Sequence, residues 1–128
     1  MKHRIAMLSV ILATKDPYVA KDEFLKAGWE FVSETSHESD DKLAIVKIGD
    51  SLIMLGIDDP KYLPEEARNY RGAGIDIYVE LGEKDDIKKV FEDHLRAGVS
   101  TEPLGLKPWG VNAFHARICG YNFLLAGK

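Results

Sequence analysis

The sequence predicts an α+β chain made of two tandem β-α-β-β-β units. Two internal matches and a recurring pattern predict it. Phe24-Leu25-Lys26-Ala27-Gly28-Trp29 lines up with His94-Leu95-Arg96-Ala97-Gly98-Val99, about seventy positions later. Ala44-Ile45-Val46-Lys47-Ile48-Gly49-Asp50-Ser51-Leu52-Ile53-Met54-Leu55-Gly56 lines up with His115-Ala116-Arg117-Ile118-Cys119-Gly120-Tyr121-Asn122-Phe123-Leu124-Leu125-Ala126-Gly127 at nearly the same shift. Matches at nearly one offset mark a repeat rather than two similar amphipathic helices. The order of strand-like and helix-like apolar patterns is also the same in both halves.

The elements follow in order. Residues 5–12 are apolar on both faces and read as a strand covered on two sides, in preference to a signal peptide. Asp16 is a helix N-cap with Pro17 at the first helical position, and Gly28 stops that helix. Residues 29–36 read as a strand and 37–41 as a polar turn. Two strands, 43–48 and 52–57, are joined by Gly49-Asp50. Residues 58–72 hold two prolines and mixed charge and read as a linker, with one helical turn after Pro64. Unit one is therefore about 1–57 and unit two about 73–128. In unit two, Ile75, Ile77, Val79 and Leu81 alternate with polar residues as a half-buried strand. Ile87, Val90, Phe91, His94 and Leu95 form the apolar stripe of a helix that Gly98 ends. Residues 99–104 read as a strand, and a Gly-centred hairpin closes the chain.

At 128 residues the chain is one domain by size. Its 17 basic and 21 acidic residues leave a net charge of −4, which argues against a general nucleic-acid binder. No apolar run approaches the roughly 20 residues a membrane-spanning helix needs. The one cysteine, Cys119, excludes an intrachain disulfide. It fits a reducing compartment, so a cytoplasmic protein is expected.

The closing stretch Pro108-Trp109-Gly110…Phe114…Gly120-Tyr121-Asn122, set in a repeated β-α-β-β-β unit, resembles the vicinal oxygen chelate superfamily. That superfamily includes glyoxalase I, extradiol dioxygenases and bleomycin-resistance proteins, and the tail looks most like the last branch. The resemblance implies a curled mixed sheet with helices outside it and a cleft formed by two units. It also implies a homodimer, often made by exchanging units, and antibiotic resistance by sequestration. The metal enzymes of the superfamily carry ligands on the first and last strands of each unit. Those positions fall near Arg4 or Ala6, then Ile53, Gly74 and Leu124, none of which is a ligand type. His3 is the one ligand-type residue near the first position. The family's usual Asp-Pro-Asp-Gly turn is replaced by Ile118-Cys119-Gly120.

A two-residue loop at Gly120-Tyr121 would place Arg117 opposite Leu124 and His115 opposite Ala126, with His115, Arg117, Asn122 and Leu124 on the cleft side. The repeat puts Ala44, Val46, Ser51, Ile53 and Leu55 on the same side, and alternation adds Gly74, Asp76, Tyr78 and Glu80. The expected function is metal-free binding of a small, partly aromatic molecule, without a cofactor or catalytic residue. Trp109 and Tyr78 would stack on it, Ile53, Leu55 and Leu124 would give apolar contact, and Asp76, Glu80, His115 and Arg117 would give polar specificity. Each residue has a plainer reading. Trp109 could cap the core, Tyr78 could lie in a dimer interface, Arg117 could bridge to Asp76 or Glu80, and His115 could be solvated. His94 reads as structural, and nothing near Cys119 would activate its thiol. The alternative function is a metal-dependent lyase or dioxygenase with displaced ligands.

Overall fold

The computed structural model describes residues 3–128. Unit one comprises β1 (Val10–Thr14), α1 (Pro17–Lys26), β2 (Glu30–Glu34), β3 (Leu43–Ile48) and β4 (Ser51–Ile57). A 3₁₀ helix, Glu65–Tyr70, follows Pro64 in the connecting segment. Unit two comprises β5 (Asp76–Glu80), α2 (Ile87–Arg96), β6 (Gly105–Leu106), β7 (Asn112–Ile118) and β8 (Tyr121–Gly127).

Each unit forms a four-stranded mixed sheet, in the orders β1-β4-β3-β2 and β5-β8-β7-β6. The first strand of each unit runs parallel to its last, and the remaining pairs are antiparallel. A parallel pair needs a crossover connection, which the helix of each unit begins. Both helices start on an aspartate whose side chain accepts first-turn N–H groups: Asp16 from Tyr18 and Val19, and Asp86 from Lys88. Both end just before a glycine in the left-handed region, Gly28 at φ 98° and Gly98 at φ 77°.

The helices lie on one face of each sheet, and those two faces share one core. Phe24 of α1 meets Phe123 of β8 edge to face at 5.6 Å, and Trp29 meets the same ring at 5.5 Å. Phe24, Phe114 and Phe123 are fully buried, each contributing about 1.5–3 kcal/mol by burial. The Trp29 indole N–H donates to Nε2 of His94 at 3.0 Å across the seam between the units. His94 is fully buried, and its Nδ1 bonds the Val90 carbonyl at 2.7 Å. The structural reading of His94 is therefore specific: it joins the two units. Burial pushes its pKa below the usual histidine value.

Four expectations are corrected. The first strand starts at Val10, not residue 5; Ile5, Met7 and Leu8 are exposed. An apolar run is not evidence of two covered faces when the strand is an edge. The segment 99–104 makes only an isolated bridge, Ser100 to Ala116, and β6 begins at Gly105; Pro103 has no N–H for a ladder. The closing turn is Cys119-Gly120, so Arg117 pairs with Asn122 and His115 with Leu124. Both turn residues have positive φ, 47° and 91°, as a type I′ turn requires. Cys119 is an unusual occupant of that conformation, which hid the turn.

The fourth correction concerns the repeat. Corresponding elements start at Pro17 and Ile87, and at Ser51 and Tyr121. Helices and hairpins thus share one shift, and the match of Gly49 with Gly120 is one residue out. Ile53 and Leu55 correspond to Phe123 and Leu125, not to Leu124 and Ala126. They are 3% and 0% exposed and belong to the core beside α1, together with Ala44 and Val46. They do not reach the open face. Ile45 and Met54, paired across β3 and β4, occupy it instead.

Candidate functional site

The open face of unit two carries most of the polar residues singled out from the sequence. Three cross-strand rows define it. Asp76 of β5 lies beside Asn122 of β8, which pairs with Arg117 of β7. Tyr78 lies beside Leu124, which pairs with His115. Glu80 lies beside Ala126, which pairs with Ala113. Alternation puts the intervening Val79, Phe114, Ala116, Phe123 and Leu125 into the core. Tyr78 is 50% exposed, and its hydroxyl donates to Glu80 at 3.2 Å. Burial raises the Tyr78 pKa first, with the Glu80 charge adding to it.

His115 is the centre of a linear ion-paired chain. Its Nε2 contacts Asp76 at 2.9 Å and its Nδ1 contacts Glu102 at 2.9 Å. Lys107 donates to the same Glu102 oxygen at 2.8 Å. The hydrogen bond to Asp76 raises the His115 pKa above its ordinary value; the bond to Glu102 adds to this and partial burial opposes it. Lys107 and then His115 hold the Glu102 carboxyl below its usual range. A carboxylate at each nitrogen favours the protonated ring, which can donate to both. In that form neither ring nitrogen offers a lone pair to a metal ion. The solvated reading of His115 is replaced by this doubly anchored one. Glu102 was not legible as a partner, because its segment read as a strand and its contact with β7 is long-range.

Arg117 does not bridge to Asp76 or Glu80. It donates to the side-chain oxygen of Asn122 at 3.2 Å, and Asp76 is engaged by His115. An open depression of about 420 Å³ lies here, lined by Gly74, Ile75, Asp76, Thr101, His115 and Asn122. Tyr78, Glu80, Trp109, Arg117 and Leu124 are outside that lining. Trp109 is 58% exposed between β6 and β7, so it does not cap the core. Leu124 is half-buried. Cys119 packs against the core, and its backbone N–H donates to Glu23. Burial, with the Glu23 charge behind it, pushes its thiol up to about 12.

No family model matches the sequence, and no curated protein sequence matches it. Solved structures do match. TioX from Micromonospora sp. ML1 superposes with a TM-score of 0.72 at 21% identity, covering 96% of each chain. A member of the glyoxalase/bleomycin resistance protein/dioxygenase superfamily from Sphaerobacter thermophilus gives 0.68 at 22% identity, over 97% of this chain and 98% of that one. The chain has the glyoxalase/bleomycin-resistance fold. A bleomycin resistance determinant encoded on the transposon Tn5 shares it at 0.68 and 13% identity, over 97% and 98%. Identities of this size establish the fold and nothing finer.

The metal-dependent alternative needs three or four ligand side chains that converge on one point. With the repeat shift corrected, the unit-one counterpart of Leu124 is Met54 rather than Ile53, and both are apolar. Among the described residues no three His, Cys, Asp or Glu side chains group as a metal site. Asp76, Glu102 and His115 adjoin, but the carboxylates bind the ring rather than converge with it. This donor set does not fit a divalent ion as arranged.

Proposed function

We propose that this chain is a small-molecule-binding protein that sequesters a partly aromatic ligand on the open face of unit two, without a metal and without making or breaking bonds. The two-sided engagement of His115 supports this reading, because both of its ring nitrogens face carboxylates of the chain rather than a ligand or a metal. What remains are contact groups: the Tyr78 ring, the Leu124 side chain, Arg117, Asn122 and the exposed Trp109. The fold is shared with a bleomycin resistance determinant, which makes drug sequestration the model for this activity.

A homodimer belongs to the same reading. The two sheets of one chain share their helix faces, so each open face is uncovered within the chain. A second copy covering them would turn a shallow depression into a cleft. No described helix is long and apolar enough to cross a membrane. A cytoplasmic setting goes with the reading, since the single cysteine is unpaired.

Thermal-shift screening against aromatic drugs and metabolites tests the proposal. Reproducible stabilisation that weakens in Tyr78→Ala and Trp109→Ala is expected. Metal analysis of protein purified without chelator decides against the lyase or dioxygenase alternative. A stoichiometric divalent ion that disappears in His115→Gln or Glu80→Gln would overturn sequestration.

A further inference from the structure

The open face of unit two is rich in unused donors at one end. The chain Lys107–Glu102–His115–Asp76 links two basic side chains and two carboxylates in one line of hydrogen bonds. Asp76 is therefore engaged from the His115 side. Arg117 has no carboxylate within salt-bridge distance among the described residues, and its one side-chain partner is the neutral Asn122 amide. That contact uses the amide oxygen, which fixes which way the amide is turned. Among the described residues neither amide N–H of Asn122 has a protein partner. Thr101 and Asn122 both line the open depression, and Arg117 stands beside it through its bond to Asn122. Glu80, the other carboxylate of this face, lies four residues along β5 and holds the Tyr78 hydroxyl.

We propose that the ligand presents an organic anion, a carboxylate or phosphate on an aromatic body, to Arg117 and Asn122. The proposal rests on the binding reading above and adds the charge of the ligand. A planar guanidinium beside amide N–H donors matches the paired oxygens of such a group. Asn122 holds the guanidinium in place before the ligand arrives. His115 keeps Asp76 from competing for Arg117.

Four probes on one ring separate the possibilities: benzoate, phenyl phosphate, neutral benzamide and cationic benzamidine. Each is titrated into the ¹⁵N-labelled protein and followed by amide shifts. Benzoate and phenyl phosphate are expected to shift Asp76, Asn122 and Arg117. At least one should bind roughly two- to fivefold tighter than benzamide, the scale of a solvent-exposed ion pair. Arg117→Gln, at an exposed position, is expected to erase that advantage, so that benzoate and phenyl phosphate bind no tighter than benzamide. Equal binding of anionic and neutral probes, or tighter binding of benzamidine, overturns the anion and leaves the binding reading standing. No shift on this face with any probe overturns both.

Discussion

The open faces of the two units make opposite surfaces from one architecture. In unit one the face carries Ile45 and Met54 as a cross-strand pair, with Ile11 and Leu52 beside them and Lys47 paired to Glu30 at the edge. In unit two the corresponding strands carry Asp76, Tyr78, His115, Arg117 and Asn122 around Leu124. The helix faces do not diverge in this way: Ala44, Val46, Ile53 and Leu55 correspond to Phe114, Ala116, Phe123 and Leu125, and all are buried. The inner face is constrained by one shared core. The outer face is free to vary, so chemistry has gathered on one copy and apolar surface on the other.

Adjacent residues of β8 give the largest contrast. Phe123 of unit two touches Phe24 and Trp29, both of unit one. Phe123→Ala is expected to cost about 3–5 kcal/mol, read as a loss of most of the denaturation midpoint. Leu124→Ala, one residue on and half-buried, is expected to cost about 1 kcal/mol or less. Comparable losses would mean that Leu124 belongs to the core and that the faces are wrongly divided.

The apolar face of unit one predicts an effect on association rather than on folding. Met54→Glu places a charge on the surface that a second copy would cover. Sedimentation velocity is expected to show a dimer for the parent chain and a monomer for the variant, with unchanged circular dichroism. Arg117→Gln, on the other face, should leave association less affected. A parent chain that is monomeric at all concentrations removes the dimer from the functional reading.

The β-α-β-β-β repeat, both helix caps and the identity of the polar face were legible in sequence, because each rests on local signals: a cap residue, a terminal glycine or a period of two. Register was less so. Gly49 and Gly120 looked equivalent, yet the turns are Gly49-Asp50 and Cys119-Gly120, and that single residue turned Ile53 and Leu55 inward. Asp76 and Arg117 looked like partners because their charges are opposite. His115 reaches Asp76 across β8 and takes it first, a contact 39 positions apart in sequence. Glu102 had no periodic signal at all. Long-range pairings among side chains of similar charge are the part that one sequence leaves undetermined.

The two histidines sharpen the comparison between core and open face through opposite pH effects. His94 accepts the Trp29 N–H and is held neutral by burial, so its folded pKa lies below the unfolded value. Its contribution is complete above about pH 6.5 and is lost as pH falls from there through the lowered pKa. His115 is held protonated by Asp76 and Glu102, so its folded pKa lies above the unfolded value. Its contribution is present below about pH 6.5 and is lost as pH rises through the raised pKa. Urea midpoints measured from pH 5 to 8 (values bracketing the usual histidine range) should fall toward acid in His115→Gln, where only the His94 effect remains. The acid slope should flatten in His94→Leu. Identical profiles for both variants would show that neither histidine is placed as described.

The smallest stability effect belongs to Trp109, and it separates folding from binding. Trp29 is buried at the seam and donates a hydrogen bond to His94, so shortening it removes core contacts and leaves a buried acceptor unpaired. Trp109 stands in solvent before Gly110, which has φ 92°, in a loop whose backbone closes on itself through Lys107 and Val111. Its ring is not needed to hold that loop. Trp109→Ala should therefore change stability by no more than about 0.5 kcal/mol. An exposed indole that adds nothing to stability but weakens the shift caused by an aromatic ligand acts in binding. If the variant instead unfolds early, the ring is packed where a core residue should be, and Trp109 leaves the ligand face for the fold.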